Sequence, residues 1–177
     1  DSTLRAELVR MGREDQAARD GFGAAVASDD TAFARRLMQG DSARTARLRE
    51  IVRRHGWPGR SLVGEDGAES AWLVLQHTNS VEFQREMLPV LWRAAERGEM
   101  RRADVAMLED RVLVRDGRPQ RYGNSFSLRE GRLVPDPIDD LPGLEHRRAE
   151  MGLPAMAEYV RVLGEAYGMP VTWPPTP

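Results

Sequence analysis

Apolar residues recur at helical spacing through most of the chain, a pattern typical of a mostly α protein. Three apolar positions near the start predict a first helix: Leu4, Leu8 and Met11. Farther along, a short helix is predicted over residues 33–38 and ends at Gly40. Asp41 is then predicted to cap the next helix, which runs to His55 and ends at Gly56, a residue that tolerates the left-handed conformation.

Two residue pairs match the capping box, in which a short polar residue is followed three positions later by glutamate: Asp66 with Glu69, and Asn79 with Glu82. The first pair predicts a helix that ends at His77. The second predicts a helix over residues 83–97, and Pro89 inside it predicts a kink because proline removes a backbone donor. A further helix is predicted over residues 103–114, closed by Asp116 and Gly117.

The pattern changes after residue 120. Phe126, Leu128 and Leu133 alternate around the turn Arg129-Glu130-Gly131-Arg132, which predicts a β-hairpin. Two last helices are predicted over residues 144–151 and 155–167. We therefore expect a mostly α fold, α+β at most, with about six to eight helices and one short hairpin near 125–135. A single domain is expected over 1–168, with a proline-rich extended tail over 169–177.

Charge and hydropathy narrow the classes of partner. The chain has 26 basic and 28 acidic side chains, and this net charge of -2 gives no electrostatic reason to expect nucleic acid or an anionic membrane. No apolar run approaches the length of a membrane span, and no signal peptide opens the chain, so we expect a cytoplasmic protein.

Two residue types are absent, and each absence excludes a class of chemistry. Without cysteine the chain has no thiol nucleophile and no thiolate metal site. Without lysine it cannot form a Schiff base, since every basic side chain is arginine. The three histidines, His55, His77 and His146, are widely spread and match no zinc signature. We expect neither a metal nor a cofactor.

Several polar residues fall on helix faces that otherwise look buried. His77 lies four residues after Leu73, and Gln76 lies four after Trp72. The same faces or the adjoining loop 117–123 hold further polar residues: Gln84, Asp110, Arg111, Gln120 and Tyr122. A buried polar group costs stability unless it is hydrogen-bonded, so these residues must form a network or line a wet cavity.

One hypothesis is a small-molecule site between the helices. In its catalytic form His77 moves a proton without a metal, Asp110 orients the imidazole, and Arg111 or Tyr122 holds a developing negative charge. Five other residues are candidates for contact with the ligand: Gln76, Gln84, Gln120, Trp72 and His55.

The alternative hypothesis is a rigid internal scaffold. His55 would then only end its helix, Gln76 and Gln84 would bond each other or a loop backbone, and Asp110 would pair with Arg111. The protein would be a non-catalytic interaction module whose outer surface binds a protein partner, with the tail around Trp173 as a docking strand. Both hypotheses are consistent with the sequence.

The same residues carry a resemblance to a bacterial domain family of unknown function. The matching pieces in the first half are Asp15-Gln16, His55-Gly56-Trp57-Pro58, Ser61-Leu62-Val63-Gly64, Trp72, Gln76-His77 and Phe83-Gln84. Those in the second half are Asp110-Arg111, Gly117 to Gly123, Pro137 to Asp140, Arg147-Arg148 and Gly152-Leu153-Pro154. The resemblance implies that the polar set is a family signature, but it implies no reaction or cofactor. Asn124 and Ser125 depart from it, since threonine and glutamine are expected there.

Overall fold

The structure is a computed structural model, and it describes residues 1–21, 25, 28 and 30–175. The chain divides into two compact units, Asp1–Arg101 and Arg102–Pro177. Within the described residues there are seven helices and one antiparallel hairpin, which confirms the predicted mostly α fold. No helix in these ranges is both long enough and apolar enough to cross a membrane. The expected single domain over 1–168 stays a prediction.

The described residues of the N-terminal unit form four helices: α1 (Ser2–Ala17), α2 (Thr31–His55), α3 (Arg60–His77) and α4 (Val81–Glu96). The C-terminal unit contains α5 (Arg102–Arg115), β1 (Phe126–Arg129), β2 (Arg132–Pro135), a 3₁₀ turn (Leu141–Gly143), α6 (Leu144–Glu150) and α7 (Met156–Tyr167).

The predicted break in α2 at Gly40 and Asp41 is wrong, because the helix continues through both residues. The N-cap is Asp30, whose carboxylate accepts the backbone N–H of Phe33 at 2.9 Å. A glycine inside a helix costs about 1 kcal/mol, which the buried stripe farther along α2 offsets. The predicted end is confirmed, since Gly56 has a φ of 74° and donates its N–H to the Val52 carbonyl.

Both capping-box predictions misplace a helix start. Helix α3 begins six residues before Asp66, and its regular geometry is interrupted at Gly64, which has a φ of 73°. The Asp66 carboxylate accepts hydrogen bonds from Arg5 Nε and from the backbone N–H of Gly67, each at 2.8 Å.

The cap of α4 lies one residue after the predicted Asn79. Ser80 Oγ accepts the N–H of Phe83 at 3.2 Å. Helix α4 does contain Pro89, as predicted.

Helix α1 packs against α3 through a stripe of buried residues along one face: Leu4, Leu8, Met11, Gly12 and Asp15. Gly12 makes the closest approach. A Cβ atom at this position would lie 2.7 Å from Ser70 Oγ and 3.2 Å from Ser70 Cα. Because the obstruction includes backbone, only glycine fits this crossing without a shift of one helix.

The hairpin of the C-terminal unit matches the prediction. Phe126 pairs with Pro135 and Arg129 with Arg132, and the two turn residues have left-handed φ values of 50° (Glu130) and 74° (Gly131). These values are those of a type I′ turn, whose twist suits a two-residue hairpin.

The tail extends this small sheet on the far side of β2. Leu133 donates its N–H to the Pro170 carbonyl at 3.0 Å, and Thr172 donates its N–H to the Leu133 carbonyl at 2.8 Å. The extended tail is therefore docked over residues 170–172.

Gly12→Ala tests the close crossing of α1 and α3. We expect the variant to lower the free energy of unfolding by about 1–3 kcal/mol, because the new methyl group overpacks the contact with Ser70. An alanine in an open helix position would instead stabilise the protein. The measurement is denaturant unfolding of the wild type, the variant and Gly12→Ala/Ser70→Gly. Partial recovery in the double variant supports the contact, whereas a stabilised single variant contradicts it.

Candidate functional site

The N-terminal unit contains a carboxylate inside its core. Asp15 continues the apolar stripe of α1 and is 0% exposed. A buried charge is destabilising unless hydrogen bonds and opposite charges surround it. The partners of Asp15 therefore determine what this part of the molecule can do.

The closest partner of Asp15 is His77, the last residue of α3. His77 Nδ1 lies 2.6 Å from Asp15 Oδ2, and Gln16 Nε2 donates to the same oxygen at 3.1 Å. The Asp15 side chain is 1% exposed and the His77 side chain is 22% exposed, so the imidazole lies between the buried carboxylate and solvent. Within the described part of the chain, this is the only hydrogen bond that the His77 ring makes.

Two arginines and a second carboxylate hold Asp15 from its other side. Arg19 Nη1 donates to Asp15 Oδ1 at 2.9 Å, and Arg19 Nη2 lies 3.1 Å from both carboxylate oxygens of Asp41. Arg44 Nη2 donates to Asp41 at 2.6 Å, and Arg44 Nε lies 3.5 Å from Asp15 Oδ1. The four charges form a closed network that fixes the position of the Asp15 carboxylate.

The electrostatics of Asp15 determine the tautomer of His77. Burial raises the pKa of Asp15, but the hydrogen bond with His77 and the positive charges around the carboxylate outweigh burial. The net pKa of Asp15 lies below its ordinary value of 3.8. Asp15 is therefore a carboxylate at neutral pH and can only accept, so Nδ1 of His77 must carry the hydrogen. The neutral ring then has its lone pair on Nε2.

An open surface cavity of about 460 Å³ is lined by α2, which also carries Asp41 and Arg44, and by the segment that follows α3. We call it the hydroxyl-lined cavity, and its walls are Ser42, Thr45, Ala46, Arg49, Thr78, Asn79, Ser80 and Glu82. Thr45 directly follows Arg44, and Thr78 directly follows His77. The two threonines are joined by a hydrogen bond of 2.7 Å between their hydroxyl groups.

This arrangement is suited to proton transfer. A histidine whose Nδ1 is held by a buried carboxylate can accept a proton on Nε2, because the carboxylate stabilises the imidazolium that forms. A metal would need a different donor set. In the described ranges no group of three or more histidine, aspartate or glutamate side chains is placed to hold one.

The other predicted residues of this unit have different surroundings. Trp72 is buried in the core, and His55 is exposed at the end of α2. Gln84 is 0% exposed and donates Nε2 to the backbone carbonyls of Leu75 and Gln76 at 3.1 and 3.3 Å. Gln84 thus bonds to the backbone at the end of α3, which is one of the two structural roles that the scaffold hypothesis gave it.

Asp110, in the C-terminal unit, binds a loop backbone. Its carboxylate accepts the N–H groups of Arg121, Tyr122 and Asn124 at 2.7, 3.0 and 2.9 Å, and also Asn124 Nδ2 at 2.9 Å. Burial raises the pKa of Asp110, and these donors oppose that rise. The role of Asp110 in orienting His77 stays a prediction, and the partner that the structure gives to His77 Nδ1 is Asp15.

Gln120 has a similar structural role. It is 0% exposed, donates Nε2 to the carbonyls of Ser125 and Asp136 at 2.9 Å each, and accepts the Ser125 N–H at 2.8 Å. Tyr122 is buried, and burial raises the pKa of its hydroxyl. Arg111 is half-buried, and burial lowers its pKa.

Asn124, where the resemblance predicts threonine, joins two buried charges. Its Nδ2 donates to Asp110, and its Oδ1 accepts from Arg148 Nη1 at 3.2 Å. Arg148 is 0% exposed, also donates to the carbonyls of Tyr122 and Pro154, and lies 5.0 Å from the Tyr159 ring centroid. Asn124, which departs from the family pattern, therefore helps to hold the loop after α5 in place.

Sequence reasoning missed Asp15, Arg19, Asp41 and Arg44 as site residues. A signal for Asp15 was available, because the spacing of Leu4, Leu8 and Met11 continues to position 15 on the same face of α1. Asp41 was interpreted as a cap, although the spacing to Thr45 and Leu48 places it on the buried face of α2. No sequence signal shows which carboxylate reaches His77, which lies 62 positions from Asp15.

Comparison with known proteins identifies the family. A model of a family of unknown function (DUF6624) matches residues 2–172, so the chain belongs to that family. No curated protein and no solved structure matches the chain. The bacterial origin implied by the resemblance stays a prediction.

Asp15→Asn tests the buried carboxylate through its pH dependence. The pKa of Asp15 is lowered in the folded state, so its charge stabilises the fold fully above its ordinary pKa of 3.8 and less as pH falls through the folded pKa. At pH 7 we expect the variant to lose about 3–5 kcal/mol of unfolding free energy, because Arg19, Arg44 and His77 lose their shared anion.

As pH falls below 3.8 and then through the lower folded pKa of Asp15, this difference from the wild type should shrink, because Asp15 is protonated first in the unfolded state and then in the folded state. The measurement is denaturant unfolding at several pH values. Asp20→Asn is the matched control, because it removes the same charge from an exposed position. A loss that is the same at every pH, or equal in the control, would contradict the assignment.

Proposed function

We propose that this chain, a member of a family whose function is unknown, binds a small molecule in its N-terminal unit and uses His77 as a general acid and base. The observation that carries the proposal is the 2.6 Å contact between His77 Nδ1 and the buried Asp15, on a ring whose Nε2 makes no hydrogen bond to any described residue. Asp15 replaces Asp110 as the residue that orients the imidazole.

The proposed step is a reversible proton transfer. His77 Nε2 takes a proton from an acidic group of the bound molecule or from a water, and the imidazolium is stabilised by the Asp15 carboxylate 2.6 Å from Nδ1. The same nitrogen then returns the proton to the product or to a leaving group. Asp15 stays ionised throughout, because the hydrogen bond with His77 and the positive charges of His77, Arg19 and Arg44 hold its pKa below the ordinary value.

Burial supports a functional role for His77 over a purely structural one. The His77 side chain is 22% exposed and its Nε2 makes no hydrogen bond to a described residue, so that nitrogen does not help to hold the described fold together. Thr78, the residue that follows His77, lines the hydroxyl-lined cavity. Its volume of about 460 Å³ lies within the range of small-molecule sites.

Other parts of the earlier hypothesis stay predictions. Arg111 and Tyr122 as groups that hold negative charge, and Gln120 as a ligand contact, belong to the C-terminal unit. The absence of nucleic-acid partners and a cytoplasmic location are predictions from composition. The rival hypothesis of a protein-interaction module uses the tail around Trp173 as a docking strand. Residues 170–172 of that tail bond to Leu133 of the same chain.

The proposal is tested by a turnover screen with histidine variants. Purified wild type is incubated with a panel of small esters, phosphate esters and carbonyl compounds, and products are followed by NMR. For any compound that is turned over, His77→Ala should lower the rate by about 100-fold or more, because a general base contributes that much. Asp15→Asn should lower it too.

His146→Ala is the matched control, because the His146 side chain is 80% exposed and lies in the other unit. The control should keep the wild-type rate. Circular dichroism and thermal melting confirm that each variant is folded. Turnover that survives in His77→Ala, turnover that is lost equally in His146→Ala, or a panel without any His77-dependent product contradicts the proposal.

A further inference from the structure

The hydroxyl-lined cavity contains an arginine whose orientation is fixed and whose donors are only partly used. The Arg49 guanidinium carbon lies 4.2 Å from the centroid of the Phe83 ring, so the guanidinium is held over the ring by a cation–π contact. Its Nη1 donates to Glu86 at 3.1 Å and its Nη2 to Ser80 Oγ at 3.1 Å. Toward the described residues, Nε–H and the second hydrogen on each Nη make no further bond.

Other side chains of the cavity also have hydrogen-bond donors that no described residue accepts. The Thr78 hydroxyl accepts from Thr45 Oγ1 at 2.7 Å and from the Ser80 N–H at 3.2 Å, which leaves its own hydrogen available to donate. Asn79 is exposed, and its amide makes no hydrogen bond to the described residues. The cavity therefore contains several unused donors, and a ligand with acceptor oxygens can bond to them.

Arg49 can bind an anion although two carboxylates, Glu86 and Glu82, lie near it. Glu86 is 62% exposed, and an exposed ion pair contributes little, so a ligand can replace it at low cost. Glu82 also lines the cavity, and hydrogen bonds from its own backbone N–H and from the Ser80 hydroxyl lower its pKa, so it is a negative charge that a bound anion must avoid. The planar guanidinium then remains the strongest anion-binding group of the cavity.

We infer that the hydroxyl-lined cavity binds the oxyanion group, a carboxylate or a phosphate, of a small molecule, with Arg49 as the residue that recognises the anion. The inference rests on the proposed function, because it names the ligand class of the same site. Arg49 donates a pair of parallel hydrogen bonds to the oxyanion, and Thr78 and Asn79 donate to the oxygens beside it. The cavity, of about 460 Å³, has room for such a group.

The test is a titration of the full chain with three probes, followed by ¹H–¹⁵N NMR. Inorganic phosphate and succinate represent the two oxyanion sources, and glycerol is the neutral control. We expect saturable shifts at Arg49, Thr78 and Asn79 with phosphate, succinate or both, and none with glycerol. The anion that binds more tightly identifies the source.

Arg49→Met should weaken that binding by about tenfold or more, because it keeps an unbranched stem but loses every donor. Arg49→Lys keeps the charge but loses the planar pair of donors, so its affinity should lie between those of the wild type and Arg49→Met. Arg49→Lys also tests the role of Arg49 if Arg49→Met does not fold. Arg53→Met is the matched control, because it removes the same charge from an exposed position of the same helix, and it should bind within about twofold of the wild type.

His77→Gln separates this inference from the proposed function. It should bind the anion like the wild type, because Arg49 and the cavity are intact, even if all turnover is lost. Binding that depends on Arg49 without any His77-dependent turnover would leave the anion site standing and remove the general base. Equal affinity in Arg49→Met and wild type, equal loss in Arg53→Met, equal binding of glycerol, or no saturable binding at about 10 mM overturns the inference.

Discussion

The charged contact between Asp15 and its partners is the constraint on which the N-terminal unit depends. A carboxylate that is 0% exposed is tolerated only because a histidine, two arginines and Gln16 surround it. These partners come from α1, α2 and α3 and from the segment just after α1. The network therefore fixes the relative positions of three helices, and it holds one ring edge of His77 while the side chain stays partly exposed. Structural specificity and a chemically useful histidine have the same physical origin here.

The two units use buried aspartates in different ways. Asp110 accepts backbone N–H groups from residues 121, 122 and 124, so its hydrogen-bonding capacity is taken up by a loop that it holds in place. Asp15 accepts from side chains, one of which is an ionisable ring with a second nitrogen. Burial raises the pKa of Asp110, whereas the cations around Asp15 leave its pKa below the ordinary value. Equal burial therefore gives a structural anchor in one unit and a candidate catalytic pair in the other.

Local sequence signals predicted the elements better than they predicted the site. Helical spacing identified the mostly α fold, and the turn chemistry around Glu130-Gly131 identified the hairpin, because both depend on neighbouring residues. The break at Gly40 was wrong because tertiary burial of one face of α2 overrides a local helix breaker. His77 was predicted as a site residue, but its partner was not, since Asp15 lies 62 positions away and only the packing of α1 on α3 brings them together.

The most direct measurement is the ¹⁵N and ¹H NMR spectrum of the His77 ring, recorded over a range of pH and analysed for the uncharged form of the imidazole. We expect the hydrogen on Nδ1, with a strongly downfield proton resonance from its hydrogen bond to Asp15, and an Nε2 shift typical of a bare nitrogen. That tautomer leaves a lone pair on the nitrogen that would take a substrate proton. A hydrogen on Nε2, or a His77 spectrum that is unchanged in Asp15→Asn, would contradict the orientation of the ring by Asp15 and with it the proposed general base.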